Sequence, residues 1–99
     1  MAKIRLSRKA ITDLDSIWDY TVETWSEEQA VIYYRQIYST IQGLNSLPAF
    51  LEIDYNIIKP GLFGFKVGHH IVFYKKHKDG SIWVDRVLHE KMDYQRHVK

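Results

Sequence analysis

The sequence contains no cysteine. Disulfides, thiol nucleophiles and cysteine-ligated zinc are thereby excluded. Proline occurs twice and glycine five times, too sparsely for long flexible linkers. No run approaches the ~20 apolar residues that span a bilayer. Met1-Ala2-Lys3-Ile4-Arg5 also lacks the apolar stretch of a secretory leader. The expected compartment is the cytoplasm, without membrane association. Charge of one sign is scarce as well, because the net charge is only +2, too little to argue for nucleic acid by itself. What is present is 99 residues, 45% of them hydrophobic. That composition is well outside the disordered range and suits one domain, 1–99, with one modest core.

The small net charge conceals an asymmetry. Residues 1–58 carry five Lys/Arg against eight Asp/Glu, whereas residues 59–99 carry nine against four and all five histidines. A basic half of this kind is either a plain solvated surface or a face for an acidic partner.

Hydropathy patterning predicts the order of elements. Residues 3–6 alternate as a short strand whose pairing the sequence leaves open. Ser7 can cap a helix beginning near Arg8. Ile11, Leu14, Trp18, Val22 and Trp25 then form an apolar stripe, with Asp15, Asp19 and Glu23 as an acidic line beside it. Ser26-Glu27-Glu28-Gln29 has the form of a capping box, so a second helix follows almost without a linker. Its seam is Ala30, Tyr34, Ile37, Ile41 and Leu44, and Pro48 should stop it. Val31 and Tyr38 flank the seam on one side and Tyr33 on the other. This arc is wider than a helix pair needs, so either a sheet or a partner covers the remainder. Residues 49–58 are apolar without a period and read as a packed connection.

From Leu62 onward the pattern is β. Strands are expected at 62–67, 71–76 and 81–88, joined by Gly68-His69 and by a two-residue turn at Asp79-Gly80. The expected fold is α+β: a short N-terminal strand, a two-helix hairpin, and a three-strand antiparallel meander in a small twisted sheet, with a short C-terminal tail. Strict alternation places Phe63, Phe65, Val67, Val72, Tyr74, Trp83 and Val87 on one face. Leu62, Ile71, Phe73, Ile82, Val84 and Leu88 are apolar too, so the second face needs the tail or a partner over it.

Four segments add a family resemblance. They are Ile17-Trp18-Asp19-Tyr20, Lys59-Pro60-Gly61-Leu62, Val67-Gly68-His69-His70-Ile71-Val72-Phe73-Tyr74, and Arg86-Val87-Leu88-His89-Glu90-Lys91-Met92-Asp93 followed by Arg96-His97. In this order they resemble the ParE-type toxins of the RelE/ParE superfamily. Phe63 and His69 stand where that family often has arginine. The resemblance implies a toxin of a type II toxin–antitoxin system that poisons DNA gyrase and is neutralised by a ParD-like antitoxin. DNA would be met only through the antitoxin or gyrase. Target contact would fall to Arg86, His89, Met92 and Asp93, and antitoxin contact to Trp18, Val22, Val31, Tyr34 and Tyr38. No catalytic residue, metal or cofactor is expected.

Two other function classes use the same residues. Ribosome-dependent mRNA cleavage, as in the RelE branch, needs a base, an acid and a phosphate-binding cation. Arg86, His89, Tyr94, Lys75, Lys76, His69 and His70 are available for those roles. A non-toxic nucleic-acid-binding module would use Lys75, Lys76, His77 and Lys78 with nearby aromatics. The bland reading of Arg86 is an ion pair with Asp85, Asp93 or Glu90, and of His89 a hydrogen bond where strand meets tail. His69-His70 are adjacent and offer no third metal ligand in the sequence.

Overall fold

A computed structural model describes residues 3–98; Met1 and Ala2 of the leader reading lie outside them. Strand β1 (Ile4–Leu6) leads into α1 (Arg8–Thr24) and α2 (Glu27–Gln42). Ser7 and Ser26 cap the two helices, accepting the Ala10 and Gln29 amides at 3.0 Å each. The second helix ends at Gly43, short of Pro48, and two 3-10 turns follow. After them come β2 (Ile53–Asp54), β3 (Leu62–Val67), β4 (His70–Lys76), β5 (Ile82–His89) and a short helix α3 (Tyr94–Val98). The sheet order is β1-β5-β4-β3-β2, antiparallel except that β1 runs parallel to β5. The α+β fold expected from the sequence is present, with β2 as an addition inside the unassigned connection.

Two registers differ from expectation. The buried face of α1 is Ala10, Leu14, Ile17 and Thr21, while Ile11 and Trp25 are exposed. The helix is thus turned by about one residue, ~100°, from the apolar stripe. Small Ala10 lets it lie close to the sheet, and Thr21 hides its hydroxyl by donating to the Ile17 carbonyl at 2.7 Å. On α2, by contrast, Ala30, Ile37, Ile41 and Leu44 are buried as the seam predicts. Only Tyr34 stays half-exposed.

The second difference is in β5. Tyr74 pairs with Val84 and Phe73 with Arg86, so Asp85 is an extra residue, a β-bulge. The bulge reverses the alternation midway. Ile82, Val84 and Val87 therefore all meet the helices together with Val72 and Tyr74. Trp83, placed with them by strict alternation, is exposed instead.

The opposite face buries Leu62, Ile71, Phe73 and Leu88 under the chain's own tail and connection. Tyr55, Phe73 and Tyr94 form a triad with ring centres 5.0 to 5.9 Å apart. A Cβ on Gly64 would sit 2.5 Å from the Tyr55 ring, so glycine is what admits that ring onto β3. The connection is also pinned through Glu52, which accepts from the Tyr74 hydroxyl and from Lys76 Nζ. The β4–β5 turn is longer than two residues. His77 N–H meets the Ser81 carbonyl at 2.9 Å, Gly80 alone has positive φ, and the Asp79 carboxylate caps the Ser81 amide.

Candidate functional site

Helix pairing places the first group of side chains. Trp18 on α1 meets Tyr34 on α2 edge-to-face at 5.9 Å, and Tyr34 stacks with Tyr38 one turn on at 6.4 Å. Within this ladder Tyr34 packs against the main core. Tyr38 is exposed, and Trp18, Tyr34, Val22 and Val31 are half-buried. Rigid aromatic rings with one free face are the side chains that anchor protein interfaces at low entropic cost.

The end of β5 places the second group. The Arg86 guanidinium grips Asp13 of α1 through Nε at 2.8 Å and Nη2 at 2.9 Å, and donates from Nη1 to the His97 carbonyl at 2.7 Å. The ion partner is therefore Asp13, not Asp85, Asp93 or Glu90. Where β5 runs past β1 its outer edge lies open, and the Asp13 carboxylate also accepts the Val87 amide there, at 3.0 Å. Asp85 pairs with Lys59 instead, at 3.6 Å. Arg86 thus fastens three elements together beneath the tail, and solvent reaches it far less than the sequence led us to expect.

His89, Met92 and Asp93 lie just beyond. The Met92 amide donates to the His89 carbonyl at 3.0 Å, closing a turn on which Met92 and Asp93 are exposed. Of the four residues assigned to target contact, His89, Met92 and Asp93 therefore share this turn, whereas Arg86 is bonded to Asp13 and His97.

A third cluster joins His69 and His70, which the sequence offered only as available catalytic side chains, to Tyr33 and Glu90. The Tyr33 hydroxyl takes the His69 amide at 3.0 Å and lies 2.5 Å from His70 Nδ1, locking α2 to the β3–β4 turn. Gly68 permits this, because a Cβ there would lie 2.5 Å from the Tyr33 ring. Burial, then the nearby His89 and His69, push His70 down to about 4. Across the turn, His69 and Lys66 bond Glu90 at 2.9 and 3.1 Å and hold its carboxyl at about 2. Tyr33 had been marked only as lying off the helical seam, and nothing local distinguishes Asp13.

For RNA cleavage the geometry offers little. The Arg86 guanidinium is committed to Asp13 and His97, and the Tyr94 hydroxyl to the Glu90 carbonyl. Among the described residues no group of three His, Asp or Glu side chains is placed to hold a metal. No described helix is long and apolar enough to cross a membrane. What the surface presents is contact area: an aromatic ladder on one side and a turn with an exposed methionine on the other.

This architecture is shared with small toxin–antitoxin proteins. A chain of the chromosomal ParDE TA system from P. aeruginosa superposes with a TM-score of 0.73 at 22% identity, covering 90% of this chain and 96% of that one. The profile of the ParE toxin of type II toxin-antitoxin system, parDE, matches residues 4–94. Toxin ParE1 of Caulobacter vibrioides is 36% identical over 98 residues, 99% of each chain. Toxin ParE1 of Mycobacterium tuberculosis is 34% identical over 93 residues, 94% of each. The chain belongs to the ParE toxin family of type II toxin–antitoxin systems.

Proposed function

We propose that the protein inhibits growth by binding DNA gyrase, without catalysing a reaction, and that a ParD-like antitoxin neutralises it in the cytoplasm. Family membership supports the class, and one structural observation carries the mode of action. Both candidate surfaces offer exposed contact area, whereas Arg86 and Tyr94, two of the side chains available for catalysis, are tied up internally. The Trp18–Tyr34–Tyr38 ladder, flanked by Val22 and Val31, receives an amphipathic segment of the antitoxin. His89, Met92 and Asp93 meet the target. Met92 suits that role because its side chain adapts to an irregular apolar pocket.

Separating the two surfaces by mutation tests this reading. The triple variant His89→Ala, Met92→Ala, Asp93→Ala should stay folded and bind antitoxin in calorimetry, yet lose gyrase inhibition and toxicity. Tyr34→Ala with Tyr38→Ala should do the reverse. Cleavage of ribosome-bound mRNA by the purified toxin, with gyrase supercoiling unaffected, would refute the gyrase assignment.

A further inference from the structure

On the sheet face turned away from α1 and α2, one row of side chains is left uncovered. Ile4 and Leu6 pack toward the helix-side core, so Arg5 between them belongs to the other face. Trp83, flanked by Ile82 and Val84 of that same core, does likewise. Arg5 pairs with Trp83 across β1 and β5, and Trp83 pairs with Lys75 across β5 and β4. The row Arg5–Trp83–Lys75 therefore crosses three strands. Its two cations start about 10 Å apart at the backbone, twice the strand spacing. Next in the row is Leu62, which pairs with Lys75 and is fully buried. The protein's own cover of this face thus ends at Leu62, and Trp83 beyond it is 42% exposed.

Hydrogen bonds and stacking fix the row. The indole N–H donates to Ser81 Oγ at 3.1 Å, and that hydroxyl donates to the Asp79 carboxylate at 2.6 Å. The His77 ring lies 4.9 Å from the indole, and the Arg5 guanidinium lies over it at 5.3 Å. Stacking uses the flat face of the guanidinium and leaves its in-plane N–H groups free to bind. Among the described residues the ion pairs are those of Lys59, Lys66, His69, Lys76 and Arg86. Neither Arg5 nor Lys75 has an acidic partner in that set. Asp85 acts on Lys75 but already faces Lys59 at 3.6 Å. Burial first, and the Lys59 ammonium besides, hold Lys75 below the ordinary lysine range against the pull of Asp85. Positive charge is thus under-compensated along the row.

Two unpaired cations beside a fixed aromatic ring match carboxylates that flank an apolar side chain. The planar fork of Arg5 suits a carboxylate in particular, through two parallel N–H bonds. Nucleic acid is served less well. A base needs a free face of the indole, and Arg5 already lies over the ring with His77 beside it.

We propose that the Arg5–Trp83–Lys75 row docks an acidic segment of a partner protein, one in which carboxylates flank an apolar side chain. One carboxylate takes the Arg5 fork, another takes the Lys75 ammonium, and the apolar side chain covers the exposed part of Trp83. The row includes none of the residues assigned to antitoxin or target contact, and its role stands whatever the cellular target of the toxin is.

The test is titration of the full chain at low salt with three ligands, followed by NMR. They are N-acetyl-Glu-Ala-Leu-Ala-Glu-amide, the same peptide with Gln for both Glu, and a thymidine trinucleotide, whose two phosphates carry the same charge as the two carboxylates. The acidic peptide should bind with a Kd on the order of 1 mM, as expected of a ligand this small, and should shift the Trp83 indole and Arg5 Nε resonances. The glutamine peptide should bind at least about tenfold more weakly, for want of both ion pairs. Arg5→Gln and Lys75→Gln, each checked for folding by circular dichroism, should each weaken the acidic peptide about fivefold. The assignment is overturned by equal binding of the two peptides, by tighter binding of the trinucleotide, by an unmoved Trp83 indole, by unchanged affinity in either folded variant, or by no saturable binding up to about 20 mM.

Discussion

Replacing Asp13 with alanine should destabilise the free toxin by about 2–4 kcal/mol, through the loss of contacts 73 residues apart in the chain. The carboxylate accepts three hydrogen bonds, two from the Arg86 guanidinium and one from the Val87 amide. Its removal leaves a guanidinium without a counter-charge and a strand amide without an acceptor. The side chains are 12% and 16% exposed, so neither limiting case applies. Breaking a fully buried pair costs about 3–5 kcal/mol, and an exposed pair about 0–1 kcal/mol. Bidentate geometry and near-burial place this pair toward the upper case, with a reduction for the water that still reaches it. With a urea m-value of roughly 1–1.5 kcal/mol/M for a domain this size, the midpoint should fall by about 2 M. A double-mutant cycle with Arg86→Ala should give a coupling of about 1.5–3 kcal/mol. High salt should change it little, because partly buried charges are weakly screened. A loss below about 1 kcal/mol, or coupling that vanishes in salt, would show that the pair is an ordinary surface ion pair and that something else holds α1 to β5.

Two further outcomes follow from burial. Ile37 is fully buried at the centre of α2, so Ile37→Ala should cost about 2–4 kcal/mol by urea denaturation, whereas the exposed Ile11→Ala should cost under about 1 kcal/mol. His70 is pushed down to about 4 by burial first and then by the neighbouring imidazoles. The folded state therefore binds fewer protons there than the unfolded chain does, and stability should fall as pH drops from 6.5 toward 4. An NMR titration of the His70 ring should show a midpoint near 4, and a midpoint near 6.5 would mean that the ring is not buried in solution.

Local pattern alone determined much of this protein. Period-two and period-3.6 hydropathy, two serine caps and the turn glycines are properties of neighbouring residues, so the strand–helix–helix–meander order was legible, as were the α2 seam and the motifs that mark the family. Three features were decided only by the tertiary structure. The first is the parallel docking of Ile4–Leu6 on β5, where Ile4 meets Ile82 across most of the chain. The second is the single extra residue at Asp85, which reverses the faces of β5 because strand alternation is strictly two-fold and one insertion shifts everything after it. The third is the set of polar partnerships: Asp13 with Arg86 and Val87, Tyr33 with His69 and His70, and Glu52 with Tyr74 and Lys76. The assignment of Arg86 changed for that reason. A charged side chain takes whichever opposite charge the fold brings within about 3 Å, and no sequence spacing encodes that distance.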